Sequence, residues 1–166
     1  MGKRGAQTFV TVRGLVAALG VLVAAPAGAA CAPDQLDVKW STGSARFTVE
    51  VADDEGERST GLMAREKLAS SAGMLFVYPA PVHARFWMHD TLIALDMIFI
   101  DETGTVQRVH SNAVPRDDTP IDGGPGVKYV LEINGGLAER LGIATGAVMR
   151  NAAVSPDLAA WSCDAE

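Results

Sequence analysis

The stretch LDMIFI, Leu95 to Ile100, sets a carboxylate inside an otherwise unbroken apolar run. In an extended chain alternate side chains point to opposite faces. Asp96, Ile98 and Ile100 therefore share one face, and Met97 and Phe99 take the other. Both faces are apolar, which is stable only when both are covered, so this segment is predicted to be a central strand between two layers. A buried ionised carboxylate is costly unless it is paired or hydrogen-bonded. Asp96 is expected to anchor the 91–95 turn through backbone N–H groups, or to pair with Arg65 or Arg85.

The rest of the chain reads as short strands and turns. Leu36, Val38 and Trp40 alternate with polar residues, and Phe47, Val49 and Val51 do so after a Ser-Thr-Gly turn. Period-2 alternation across a turn predicts a hairpin with one buried face. Asp53, Asp54 and Glu55 can open a short helix running through Leu62 and Met63. MLFVY (74–78) is a strand that Pro79 and Pro81 should stop, and Arg85–Thr91 reads as another. Residues 114–127 hold three prolines and three glycines, the composition of a long functional or mobile loop. Lys128–Ile133 is a strand, Asn134 can cap a helix carrying Leu137 and Leu141, and Gly142 can end it. A last strand near 147–150 completes the count. Many short strands with one or two small helices predict a mainly β chain, a single antiparallel β-sandwich or jelly-roll-like barrel.

The ends place the protein. Lys3, Arg4 and Arg13 precede the uncharged stretch 14–25, and APAGAAC follows. That is the pattern of a signal peptide cleaved after Ala29 or Ala30. Its apolar core is about 12 residues, too short for a permanent span. Residues 31–166 then form one domain with its core at about 36–150 and a short C-terminal tail, exported to the periplasm or beyond. Cys31 next to Ala30 raises lipidation as an alternative, but Gly28 stands where such signals usually carry Leu. Of 14 basic and 20 acidic residues, three basic ones fall in residues 1–30, leaving 11 against 20 and a net charge of −9. That balance opposes nucleic acid, whose binding draws on Lys and Arg, and anionic lipid. An oxidising compartment predicts a disulfide between Cys31 and Cys163.

Four segments, TGLMAREKL (60–68), GMLFVYP (73–79), FWMHDTLIALDMIFID (86–101) and KYVLEINGG (128–136), resemble the family known as domain of unknown function 192, the Saro-type superfamily. They occur in the family's order, and the resemblance covers roughly residues 36–150. The resemblance implies a jelly-roll-like sandwich and a small stand-alone or exported domain, and it implies no activity. The family usually has Trp-Met-Lys-Asn-Thr where this chain has Trp87 to Thr91, with His89 and Asp90 as the departures. It usually has Pro at the position of Ala94, where Pro would preset a turn.

Three chemistries are open to these residues. A polar patch of Arg65, Trp87, His89, Asp90, Glu132 and Asn134 would make a non-catalytic site for a small ligand, such as a glycan or peptide, or for a protein partner, with Trp87 as a stacking surface. A hydrolase would instead need two of Asp90, Asp96 and Glu132 about 5–10 Å apart. Copper(I) could use His89 with Met63, Met74, Met88 and Met97, although adjacent strand residues such as Met88 and His89 face apart. His83, His89 and His110 form no zinc-type pair. No nucleophile elbow, phosphate loop or dinucleotide fingerprint occurs, so no catalytic set, metal or cofactor is assigned.

Overall fold

The computed structural model describes residues 31–164 and the first two; the segment expected to be a signal peptide lies, but for those two, outside the described residues. Seven strands carry the fold: β1 (Gln35–Trp40), β2 (Gly43–Ala52), β3 (Ala72–Phe86), β4 (Leu95–Ile100), β5 (Val106–Ala113), β6 (Ile121–Asn134) and β7 (Val148–Arg150). Two short helices, α1 (Glu55–Thr60) and α2 (Leu137–Leu141), sit in the connections. The strands form one sheet in the order β5-β4-β6-β3-β2-β1-β7. Its two end strands approach each other: Thr105 bridges Val148, and the Val106 N–H donates to the Ala147 carbonyl at 2.8 Å. The sheet is therefore curled into a half-barrel rather than split into two facing sheets.

Each ladder is antiparallel except β2 with β3, which run parallel. The all-antiparallel expectation fails there because α1 and the 61–71 segment carry the chain back to the same end of the sheet before β3 begins. Parallel neighbours need such a crossover. α1 starts as its acidic run predicts: the Asp54 carboxylate accepts from the Glu57 N–H at 2.7 Å, and Glu57 reaches back to the Asp53 N–H at 3.2 Å. At α2, the N-cap is Gly136 rather than Asn134, and Gly142 closes the helix in the left-handed conformation.

Every residue of β4 is buried, between two apolar layers. Ile98 and Ile100 join Leu36, Phe47, Leu75, Tyr129 and Leu131 in one layer, over which α2 packs. Met97 and Phe99 join Leu62, Met74, Phe76, Met88 and Val130 in the other. The second layer exists because β3 does not stop at its prolines. It continues through irregular pairing between Val77 and Arg85, partnered by residues 121–127 of β6. Two stretches expected to be irregular are thus one bent ribbon. Its far half returns over β4: Phe86 packs edge-on against Phe99 at 5.8 Å, and a Cβ on Gly123 would sit 2.3 Å from the Phe99 ring. Prolines are tolerated there because they fall where the ladder is already broken.

Residues 114–120, the remainder of the expected loop, are pinned to the 88–91 segment. The Met88 N–H donates to the Asp117 carbonyl at 2.9 Å, and the Arg116 N–H donates to the carbonyls of Met88 and Thr91. Cys31 and Cys163 are joined, with Cα atoms 5.4 Å apart, closing a loop of 132 residues.

Candidate functional site

Glu132 sits in β6 opposite Met74 of β3 and Met97 of β4, in the middle of the sheet. Alternation along β6 puts it on the face of Val130, in the layer with Leu62 and Phe76. It is only 4% exposed, and no side chain or backbone group described here hydrogen-bonds or ion-pairs with its carboxyl. No polar side-chain atom among the described residues is both sealed from solvent and unpartnered, so the Glu132 oxygens open onto the adjoining cleft. Burial pushes this carboxyl up to about 8. A carboxyl in an apolar setting keeps its proton because ionisation there lacks solvation. At neutral pH Glu132 is therefore a carboxylic acid.

The cleft above it is small, about 40 Å³. One wall is the end of α1 and the turn after it, with Arg58, Ser59, Thr60 and Leu62. The other is formed by Phe86, Trp87 and Thr91, with Phe76 packed edge-on to Phe86 at 5.2 Å. The walls are held by the Ala64 N–H donating to the Asp90 carbonyl at 2.8 Å. Trp87 is half exposed and its ring stacks on His89, centroids 4.9 Å apart.

The expected patch is brought together only in part. Glu132 and Trp87 share the cleft. Arg65 turns away to Glu50, with Nη2 and Oε2 2.6 Å apart, and each group is held further into its charged range by the other. The Asn134 amide donates to the carbonyls of Leu68 and Ala69 at 3.2 and 3.1 Å, tying down the segment before β3. His89 lies beyond Trp87, its Nδ1 2.8 Å from Asp118, and that hydrogen bond raises its pKa. Asp90 occupies a left-handed turn (φ 48°) with its side chain 75% exposed, 3.6 Å from His89. Residues 87–94 are not a strand, because β3 ends at Phe86.

Asp96 lies on the other face of the sheet. Its carboxylate accepts from the backbone N–H groups of Asn112, Gly136 and Ala138, each at 2.7 Å. It is thus bonded to the end of β5 and the start of α2, not to the 91–95 turn, Arg65 or Arg85. Sequence distance hid these donors: they lie 16, 40 and 42 residues downstream. The three carboxylates considered for hydrolysis have separate surroundings: Asp96 inside one layer, Glu132 inside the other, Asp90 in solvent.

The histidines are likewise dispersed, His83 to Asp122 at 2.7 Å and His89 to Asp118. Among the described residues no cluster of three or more His, Cys, Asp or Glu is spaced to hold a metal. A larger open hollow of about 420 Å³ lies beside β5, lined among others by Met88, His110, Asn112, Pro120 and Ile121. Arg58, Phe76, Phe86 and Thr91 were not singled out from sequence. Phe86 and Thr91 lie in the same block as Trp87, but only the bend of the β3–β6 ribbon brings them above Glu132.

A curled, mainly β sheet with two short helices defines the class. Residues 38–151 match the family domain of unknown function 192, described as "Uncharacterized ACR", and the chain belongs to that family. It is similar to a protein of unknown function from Novosphingobium aromaticivorans, 42% identical with a TM-score of 0.67, over 69% of this chain and 82% of that one. It is also similar to a protein from Sinorhizobium meliloti described as a candidate transcription regulator, 37% identical with a TM-score of 0.70, over 75% of this chain and 97% of that one. No curated protein matches it. No helix among the described residues is long and apolar enough to cross a membrane.

Proposed function

We propose that this protein is an exported, non-catalytic binding domain, comprising residues 31–166 after removal of residues 1–30, and that its ligand enters the Glu132 cleft. One observation carries the reading: a buried carboxyl without a partner opens onto a cleft walled by aromatic rings. Buried polar groups are normally hydrogen-bonded, and an exception calls for a role. A pocket with few convergent polar groups and a perturbed acid is the default place for one. The scattering of Asp90, Asp96 and Glu132 disfavours paired-carboxylate hydrolysis, and the net charge disfavours nucleic acid. Export is supported by the N-terminal pattern and by the Cys31–Cys163 disulfide, which suits an oxidising compartment.

Two experiments test this. A panel of small polar compounds, including amines, alcohols, carboxylates and sugars, is titrated into the isotopically labelled protein. Signal changes confined to Trp87, Thr91 and residues 58–63, and lost in Trp87→Ala, are the expected result. Silence across the panel would refute the cleft as a binding site. For export, N-terminal sequencing of the protein from cells should begin at Ala30 or Cys31; an intact Met1 would refute it.

A further inference from the structure

The side chains around the cleft differ sharply in what they can offer a ligand. A serine or threonine hydroxyl has one proton to donate and two lone pairs. Ser59 and Thr60 both donate theirs to the Gly56 carbonyl at 2.9 Å, and Thr91 donates to the His89 carbonyl at 3.1 Å. All three hydroxyls keep only acceptor capacity. Arg58 donates through Nη1 alone to the carbonyls of Asp53 and Val77, and its guanidinium is held over the Tyr78 ring at 5.4 Å on the α1 wall. The side-chain donors are the indole N–H of Trp87, on a ring half exposed to solvent, the remaining N–H groups of Arg58, and the Glu132 proton while that carboxyl is neutral. The remaining polar group is the Glu132 carboxyl itself, beside the aromatic rings of Phe76, Phe86 and Trp87.

From this census we propose that the cleft binds a primary ammonium group, presented at the end of a longer aliphatic chain, with Glu132 as its counter-ion. The proposal rests on the binding reading above and names the ligand class for that same site. An ammonium supplies three donors and no acceptor, the complement of the three acceptor hydroxyls and of an ionised Glu132. Ring faces attract a cation, most strongly when it is desolvated. The volume suits a head group of one or two heavy atoms, since a water's share of liquid is about 30 Å³. A sugar ring does not fit. The rest of the ligand would leave along the exposed face of Trp87.

Binding then has a proton signature. Glu132 carries its proton below about pH 8, and pairing with an ammonium requires that proton to leave. The other titratable and charged groups that line or adjoin the cleft are few. They are Arg58 on α1, Tyr78 on β3, whose pKa is raised by burial, and His89 and Asp90 beyond Trp87; β4 contributes Met97. An alkylammonium itself stays charged to about pH 10, near the lysine value.

The test uses n-butylammonium, n-butanol and butyrate as probes, by calorimetry and by the Trp87 and Thr91 signals, on the full protein and on Glu132→Gln. We expect n-butylammonium affinity to rise about tenfold per pH unit from pH 6 to pH 8 and then level off, with about one proton released per ligand at pH 6. At pH 8 the alcohol and the carboxylate should bind at least tenfold more weakly. Glu132→Gln should remove the pH dependence and at least tenfold of the ammonium affinity. Equal or tighter binding of n-butanol or butyrate would overturn the ammonium assignment while leaving the cleft a binding site, and so would a flat ammonium pH profile. If other panel compounds shift the cleft signals and n-butylammonium does not, only this inference fails. If nothing shifts them, both readings fail together.

Discussion

Replacing Glu132 by Gln should make the protein less sensitive to pH, and the size of the effect follows from burial. In the unfolded chain this carboxyl ionises at its ordinary value of 4.5; in the fold, burial moves it to about 8. Below 4.5 both states hold the proton and the group leaves stability unchanged. Between 4.5 and about 8 the unfolded state releases its proton and the native state keeps it. Stability therefore falls as pH rises, by about 1.4 kcal/mol per pH unit. Over the whole window the loss is on the order of 5 kcal/mol, and above pH 8 it levels off. Gln has nearly the same shape, cannot ionise, and removes this slope. Urea unfolding of both proteins at pH 5, 6, 7 and 8 measures it directly. The difference between them should shift by about 3 kcal/mol from pH 5 to pH 7, in favour of the variant. Using the difference cancels His89, whose raised pKa gives stability present below about 6.5 and lost as pH rises through the folded value. Parallel stability–pH curves for the two proteins would refute the reasoning: Glu132 would then be ionised in the fold, with a partner or solvent stabilising the charge.

Asp96→Ala should destabilise the fold by on the order of 4 kcal/mol at pH 7, because it strips three backbone N–H groups of their acceptor; chemical denaturation checks this, and a loss below 1 kcal/mol would contradict it. Reducing Cys31–Cys163 frees a loop of 132 residues and should cost up to about 5 kcal/mol in the chain-entropy model. Thermal unfolding with and without reductant is the comparison, and an unchanged midpoint would count against a stabilising staple. Asp118→Asn should lower the His89 pKa, since that carboxylate contributes most to raising it. Titrating the imidazole by NMR would show the midpoint falling; no change would mean that Asp90 or the Trp87 stack sets it instead.

Much of the scaffold is legible in the sequence. The β1–β2 hairpin, the Asp54-capped α1, the Gly142 end of α2 and the doubly covered β4 all follow from local pattern: period-2 alternation, capping chemistry and a run apolar on both faces. Pro79, Pro81 and the Gly-rich stretch near 124 misled because their local preference is for irregular chain. Here they lie where two long strands bend together, and covering Phe99 outweighs that preference. Asp96 was legible as a buried carboxylate that needs partners, but not as one bonded to Asn112, Gly136 and Ala138.

By itself the sequence determined which residues had to be inside and which carboxylates needed an account, because hydrophobicity and charge are properties of the residues themselves. Tertiary structure decided how those carboxylates differ. Neighbours brought from 16 to 42 residues away satisfy Asp96 with three backbone hydrogen bonds. The register of β6 between β3 and β4 surrounds Glu132 with Met74, Met97 and aromatic rings, so it keeps its proton. A left-handed turn leaves Asp90 in water. Identical chemical groups acquire different roles here because solvation depends on what long-range packing places beside them.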